Sequence, residues 1–339
     1  MVVVMRPGAD AEQVDAVVRR VEAAGGSAFV SRGVHRTIVG LVGDVVQFGA
    51  LNLRAMSGVV EVVRVSKAYK LVSRENHPDA SVVTVGEAGA VHLGPSTFVL
   101  IAGPCAVETA EQTFQAADMA KAAGATMLRG GAYKPRTSPY AFQGLGVKGL
   151  EILAEARERT GLPVVTEVVD PADVPVVAEY ADMLQIGTRN MQNFPLLQAV
   201  GAVQKPVMLK RGLTATYEEW LMAAEYVAQR GNLDIVLCER GIRTFETATR
   251  NTLDVSAVPM MHALSHLPVI VDPSHSAGKR ELVVPLARAA IAVGADAVMV
   301  DVHGDPTAAL CDGPQALCGA DLDALAQACR ELPPLVGRG

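Results

Sequence analysis

From Thr97 onward one pattern recurs eight times: a short apolar run rich in β-branched residues, a polar turn, then a longer segment with apolar positions three and four apart. Short apolar runs bounded by turn residues read as buried strands, and the longer spacing reads as amphipathic helix. The predicted strands are Phe98–Ala102, Thr126–Arg129, Pro163–Glu167, Met183–Ile186, Pro206–Lys210, Asp234–Cys238, Val269–Asp272 and Ala297–Asp301. Predicted helices between them include Ala110–Ala123, Tyr217–Arg230 and Arg280–Val293, with Gly124, Gly161 and Gly294 as helix stops. About 240 residues of alternating β and α segments predict an α/β fold, a (β/α)8 TIM barrel. Linear order does not show closure, so an open doubly wound sheet is the alternative.

The first 66 residues follow a different rhythm. Val2–Met5 is an apolar run, and Asp10–Ala24 sets Val14, Val17, Val18 and Val21 at helical spacing. Ser27–Ser31 and Thr37–Val42 read as strands flanking a hairpin turn at Arg32-Gly33, followed by a helix over Val45–Ser57 and a strand over Val59–Val65. Strand, helix, strand, strand, helix, strand is the order of a ferredoxin-like α+β module. Residues 67–95, with Asn76-His77-Pro78-Asp79 and several glycines and serines, have the composition of a connector. The expected division is therefore 1–66 as a small domain, 67–95 as linker and 96–339 as barrel. His77 and His92 read as solvated loop residues.

Composition agrees with this picture. Half of the 339 residues are hydrophobic, 19% are charged and 4% are aromatic, as buried parallel strands under helices require. A net charge of −6 argues against nucleic acid or an anionic membrane as partner, so an anionic ligand must be held by a local cluster. With no apolar stretch of membrane-spanning length and no signal-peptide pattern, a cytoplasmic location is expected. The cysteine count of five, without a Cys-x-x-Cys pair, indicates free thiols, and Cys311, Cys318 and Cys329 read as small packing residues.

The predicted strands end repeatedly in residues suited to chemistry: Gly103-Pro104-Cys105, Lys134-Pro135-Arg136-Thr137-Ser138, Arg189-Asn190, Lys210-Arg211, Glu239-Arg240-Gly241, Asp272-Pro273-Ser274-His275 and Asp301-Val302-His303. In a barrel the active site is built at the carboxyl ends of the strands. Cys105, His275, Asp301 and Asp312 are candidate metal ligands, a set that suits Mn, Fe, Co or Zn better than Mg or Ca. A single cysteine after Gly-Pro is more often a packing residue, and it is convergence on one face that favours the metal.

Arg129, Lys134, Arg136, Arg189, Lys210, Arg211 and Arg240 form a cationic set whose mutual repulsion calls for multiply charged anionic substrates. Arginine offers carboxylate and phosphate a bidentate fork, and a lysine whose pKa is lowered by neighbouring cations can serve as an acid. The donor-rich run from Lys134 through Thr137 and Ser138, stiffened by its proline, suits a small phosphorylated hydroxy compound. Lys134, Glu167 and His303 are candidate catalytic residues, Glu167 as counter-ion or water holder and His303 as a group behind the metal ligands.

These runs, together with Leu128-Arg129-Gly130-Gly131-Ala132-Tyr133, Gln185-Ile186-Gly187-Thr188 and Gln192-Asn193, make the chain resemble the 3-deoxy-D-arabino-heptulosonate-7-phosphate (DAHP) synthase family, in the subgroup that includes 3-deoxy-D-manno-octulosonate-8-phosphate (KDO8P) synthase. The resemblance implies a metal-dependent condensation of phosphoenolpyruvate with D-erythrose 4-phosphate, the first step of the shikimate pathway. It places the phosphate of phosphoenolpyruvate on Arg189, Lys210 and Arg240, its carboxylate near Arg129 and Lys134, and erythrose 4-phosphate at Arg136 and Thr137. KDO8P synthase, which uses arabinose 5-phosphate, normally carries Ala-Asn between its lysine and arginine. The run from Lys134 to Ser138 favours erythrose 4-phosphate instead. The N-terminal module implies inhibition by phenylalanine or tyrosine bound between such modules of different subunits, and a homotetramer is the expected assembly. One departure is Asp301, where the family usually has glutamate in a Glu-x-His run. A side chain shorter by about 1.5 Å is expected to need a backbone shift or a bridging water. A barrel that senses amino acids without catalysis is the remaining alternative.

Overall fold

A computed structural model describes residues 1–32, 37–63, 68–87 and 90–338. They form two compact units, one of Met1–Ala80 with Ala263–His266 and one of Ser81–His262 with Leu267–Gly339.

The first unit contains β1 (Val2–Met5), α1 (Ala11–Glu22), β2 (Ser27–Arg32), β3 (Thr37–Val42), α2 (Val45–Ala50) and β4 (Val59–Val63). Its antiparallel sheet has the order β2-β3-β1-β4. Asp10 caps α1 by accepting from the Gln13 N–H at 2.8 Å. The expected stripe of Val14, Val17 and Val21 packs against Val3, Met5, Val39, Leu41 and Phe48. The second helix is shorter than the apolar spacing predicts. Asn52 takes a left-handed conformation at φ 52°, which a right-handed helix does not accommodate, and a separate 3-10 turn follows over Leu53–Ala55. β2 and β3 pair from Ser27↔Val42 to Arg32↔Thr37. Gly33 of the expected hairpin turn and Val65 of the expected last strand lie outside the described residues.

The second unit opens within the stretch read as connector. There β5 (Val83–Val85) and β6 (Val91–Leu93) form an antiparallel pair. Val83, Val85, Val91 and Leu93 are buried in one cluster with Val99, Met127, Met183 and Ala297, residues at or near the starts of barrel strands. The pair thus stoppers the amino end of the barrel. With only three residues per strand, its apolar alternation is too short to register as a pattern.

The barrel runs β7 (Val99–Gly103), α3 (Ala110–Ala122), β8 (Met127–Arg129), α4 (Val147–Thr160), β9 (Val164–Glu167), α5 (Val174–Tyr180), β10 (Met183–Ile186), α6 (Phe194–Gly201), β11 (Val207–Lys210), α7 (Tyr217–Ala228), β12 (Ile235–Glu239), α8 (Ala257–Leu264), β13 (Val269–Val271), α9 (Pro273–Ala277), α10 (Arg280–Ala292), β14 (Ala297–Asp301) and α11 (Gly319–Glu331). Its eight parallel strands close, β14 pairing with β7, which excludes the open sheet. All eight predicted strands are present, with ends shifted by a residue or so. Among the described residues no helix is long and apolar enough to cross a membrane.

Candidate active site

Closure sets the site. The β14–β7 register places Asp301 opposite Gly103, two residues before Cys105. Gly103 has φ 155°, and a Cβ there would lie 2.1 Å from the Arg129 carbonyl oxygen, so only glycine lets β7 approach β8 at this level. His275 is delivered by α9, whose first turn is capped by Asp272 accepting from the His275 N–H at 2.9 Å.

Cys105, His275, Asp301 and Asp312 each bring one donor atom into a group lying within 4.8 Å of one another. Cys105 Sγ is 3.4 Å from Asp312 Oδ2 and 3.7 Å from His275 Nε2. His275 Nε2 is 3.5 Å from Asp312 Oδ2 and 3.7 Å from Asp301 Oδ2. Donors bound to a zinc-sized ion at 2.0–2.3 Å in tetrahedral geometry stand about 3.3–3.8 Å apart; the four separations above fall in that range, and the group as a whole, within 4.8 Å, could hold a divalent transition metal. Asp301 joins the group despite its shorter side chain, its Oδ2 lying 3.7 Å from His275 Nε2. Both its oxygens are also held by protein donors: Arg129 Nη1 at 2.5 Å on Oδ1 and Gln315 Nε2 at 2.6 Å on Oδ2. Gln315 in turn accepts from Arg250 Nη1 at 3.2 Å, which also reaches Asp312 Oδ1 at 3.2 Å.

Charges behind the donors set their protonation. Burial opposes the charged imidazole of His275, but the Asp272 and Asp301 carboxylates outweigh it and raise its pKa to about 10. Asp272 Oδ2 lies 2.8 Å from His275 Nδ1 and accepts from Lys210 Nζ at 2.6 Å. Burial opposes the charge of Asp312 as well, yet His275 holds that carboxyl far below the usual range. Cys105 is pushed up, first by its contact with Cys311 and then by burial.

Beside this group opens a cavity of about 500 Å³. Arg129, Lys134, Arg136, Thr137, Ser138, Glu167, Arg189, Lys210 and Arg240, all singled out in the sequence, line it together with His275 and Asp312. Arg243 and Arg250 add to its cations, leaving eight basic side chains against the carboxylates of Glu167 and Asp312. Arg189 Nη2 donates to Thr137 Oγ1 at 3.1 Å, tying two loops of the mouth together. Arg240 reaches the Asn251 side-chain oxygen at 3.0 Å once that amide is oriented to satisfy its neighbours. Lys134 Nζ donates to Cys105 O at 2.9 Å and to Cys105 Sγ at 3.2 Å.

Three expectations are corrected here, for Lys134, Arg211 and Cys311. Lys134 is not lowered by the surrounding cations: burial works in that direction, but the Cys105 and Cys311 sulfurs raise it overall. Arg211 does not serve the cavity, because its guanidinium is buried on Glu239 and Asp254, each at 2.9 Å, and lies over the Tyr217 ring. His303, expected behind the metal ligands, stands outside the cavity lining. The chain beyond Asp301 pairs with Leu317, and the His303 ring accepts from the Asp305 N–H at 3.0 Å and sits 3.7 Å from Glu108 Oε2. Cys311 is not mere packing: it lines the cavity, its sulfur 3.6 Å from Cys105 Sγ and 3.0 Å from Arg136 Nη1. Cys311, Arg243, Arg250 and Gln315 were missed because they come from loops beyond the strand ends, where no periodic signal marks which side chain turns inward.

Comparison with known proteins agrees with the geometry. Residues 72–336 match the model of the DAHP synthetase I family, and residues 1–67 match that of the DAHP synthase ferredoxin-like domain. A phospho-2-dehydro-3-deoxyheptonate aldolase of Thermotoga maritima is 51% identical over 337 residues, 99% of each chain. Its crystal structure superposes with a TM-score of 0.78 at 50% identity, covering 100% of this chain and 99% of that one. A 2-dehydro-3-deoxyphosphooctonate aldolase of Trichlorobacter lovleyi is more distant, 33% identical over 267 residues, 73% of this chain and 97% of the relative. With a closed barrel, a cation-lined mouth and a full-length relative at this identity, the chain belongs to the DAHP synthetase I family and carries that family's ferredoxin-like domain at its N-terminus.

Proposed function

We propose that the chain condenses phosphoenolpyruvate with D-erythrose 4-phosphate and water to give DAHP and inorganic phosphate. The observation that supports this best is the convergence of eight cations on one cavity beside the Cys105, His275, Asp301 and Asp312 group. Two phosphorylated substrates, one also a carboxylate, supply the anions that such a mouth needs. The family match and the 51% identical relative favour erythrose 4-phosphate over arabinose 5-phosphate.

In this reading Arg189, Lys210 and Arg240 hold the phosphate of phosphoenolpyruvate. Arg129, whose Nε is buried without an acceptor among the described residues, and Lys134 hold its carboxylate. Arg136 and Thr137 receive erythrose 4-phosphate. Cys105, His275, Asp301 and Asp312 would hold a divalent transition metal, which supplies Lewis-acid polarisation of the aldehyde oxygen. C3 of the enol attacks the aldehyde carbon while Lys134, kept protonated by the nearby sulfurs, gives its proton to the developing alkoxide. Water adds at C2, Glu167 orienting it, and the C2–O bond to phosphate breaks. The fixed cations hold both partners in register and meet the developing charge without reorganising.

The test is consumption of phosphoenolpyruvate by the purified chain with Mn²⁺ and each aldehyde in turn. Equimolar loss of phosphoenolpyruvate and erythrose 4-phosphate, with phosphate released, is expected. Consumption of arabinose 5-phosphate alone would select the KDO8P reaction, and consumption of neither would overturn the enzyme reading.

A further inference from the structure

The ends of β11 and β12 each carry two charged residues in succession, Lys210-Arg211 and Glu239-Arg240, and each end sends its two side chains to different places. Successive residues of an extended chain point in opposite directions. Lys210 and Arg240 line the cavity, whereas Arg211 and Glu239 stand outside its lining and meet each other, Nη1 to Oε2 at 2.9 Å. The strand register sets up that meeting. Lys210 stands opposite Cys238, and the Arg211 N–H donates to the Cys238 carbonyl at 3.0 Å, which brings Arg211 beside Glu239. The other Glu239 oxygen, Oε1, accepts from the Gly241 N–H at 2.6 Å, so one carboxylate bridges the chain across Arg240. Arg211 is tied at two further points, Nη1 to Asp254 Oδ2 at 2.9 Å and Nε to the Ala215 carbonyl at 3.0 Å. Both residues are buried, Arg211 at 5% exposure and Glu239 at 0%.

A buried ion pair is a poor source of stability, because removing water from two charges offsets most of their attraction and apolar residues of similar volume often serve as well. What an arginine fork on a carboxylate supplies is direction. We propose that Arg211 and Glu239 are positioning residues that lock the spacing of Lys210 and Arg240, and through it the affinity of the cavity for the phosphate of phosphoenolpyruvate. Lys210 leans on Asp272 at 2.6 Å and Arg240 on the neutral amide of Asn251, so these contacts do not tie one cation to the other. The Arg211–Glu239 bond joins the two strand ends at the level where those side chains leave the backbone. Cations held at a fixed spacing before the anion arrives bind it without reorganising, and that preorganisation is lost when either strand end shifts. The proposal rests on the reading above in which Lys210 and Arg240 hold the phosphate.

The test compares the full-length chain with Glu239→Gln, which keeps the shape and leaves Arg211 on Asp254, and with Arg211→Met and Glu239→Gln combined, which removes both charges at once. Phosphoenolpyruvate binding is read by isothermal titration calorimetry with Mn²⁺ present, and Mn²⁺ binding alone by competition with a chromophoric chelator. Both variants should bind phosphoenolpyruvate about tenfold or more weakly, with Mn²⁺ affinity changed by less than about threefold, since the candidate donors come from β7, α9, β14 and the loop beyond it. In steady-state assays KM for phosphoenolpyruvate should rise by the same factor with kcat nearly unchanged, the signature of lost ground-state binding. Arg211→Lys, which keeps a charge on Glu239, should bind more tightly than Arg211→Met. Circular dichroism melts establish that each variant is folded, and if the combined variant is not, Glu239→Gln carries the same test. Native phosphoenolpyruvate affinity in a folded variant, an equal fall in Mn²⁺ affinity, or a fall in kcat without a rise in KM would overturn the positioning role. Failure of the native chain itself to bind phosphoenolpyruvate would instead count against the phosphate reading, so the two failures are distinct.

Discussion

At the scale of single residues, the proposed chemistry is tested most directly at Lys134 and Asp301. Lys134→Met removes the proposed proton donor while leaving a stem of similar length. We expect kcat to fall by about 100-fold or more with a smaller change in KM for phosphoenolpyruvate, measured by steady-state kinetics. Asp301→Asn keeps the shape but leaves the buried Arg129 guanidinium without its anionic partner, which stands 2.5 Å away in the native chain. Removing one member of a buried pair costs about 3–5 kcal/mol, so urea unfolding of the chelator-treated variant should show a loss of that order, along with weaker Mn²⁺ binding. A stability equal to the native chain would mean that Arg129 is held by other partners. Most residues named from the sequence were legible because they end or closely follow a recognisable strand, Asp312 in the loop after β14 being the exception. Cys311, Arg250 and Gln315 were not, since a loop position gives no sign of which way its side chain turns. Arg211 misled for a related reason: it is next to Lys210 at the end of β11, and consecutive residues there point in different directions, one to Asp272 and the other to Glu239 and Asp254.

At the scale of elements, the barrel strands were readable because each is a buried parallel run with a helix behind it. The β5–β6 pair and the early end of α2 were not, being decided by packing and by one left-handed asparagine. The segment after α8 holds a further element-scale device. His266 is buried against the Leu71 carbonyl, with Nε2 at 2.9 Å, and stacks on His77 with ring centroids 4.1 Å apart. Burial, reinforced by the charge on His77, lowers its pKa from 6.5 to about 3. A depressed histidine stays neutral in the folded chain while the unfolded chain takes up the proton. Its contribution is therefore complete above pH 6.5 and is lost as pH falls from there toward 3, at up to about 1.4 kcal/mol per pH unit. Urea unfolding between pH 7.5 and pH 5 should show this slope in the native chain and a shallower one in His266→Gln. Equal slopes would remove His266 as the cause.

At the scale of the whole molecule, the chain joins a ferredoxin-like domain to a condensing barrel, the arrangement matched by its family models. We expect phenylalanine or tyrosine to inhibit the full-length chain, in an assay of phosphoenolpyruvate loss run with each aromatic amino acid. A flat response to all of them would leave the N-terminal domain without a sensing role. The central claim is that donors from β7, α9, β14 and the loop beyond it converge on one ion at the mouth where the cations gather. An anomalous-difference map from crystals grown with Mn²⁺ and phosphoenolpyruvate tests it most directly. The account predicts one peak within bonding distance of Cys105 Sγ, His275 Nε2 and carboxylate oxygens of Asp301 and Asp312, with the substrate phosphate on Arg189, Lys210 and Arg240. A peak away from these donors, or a phosphate bound elsewhere, would contradict it.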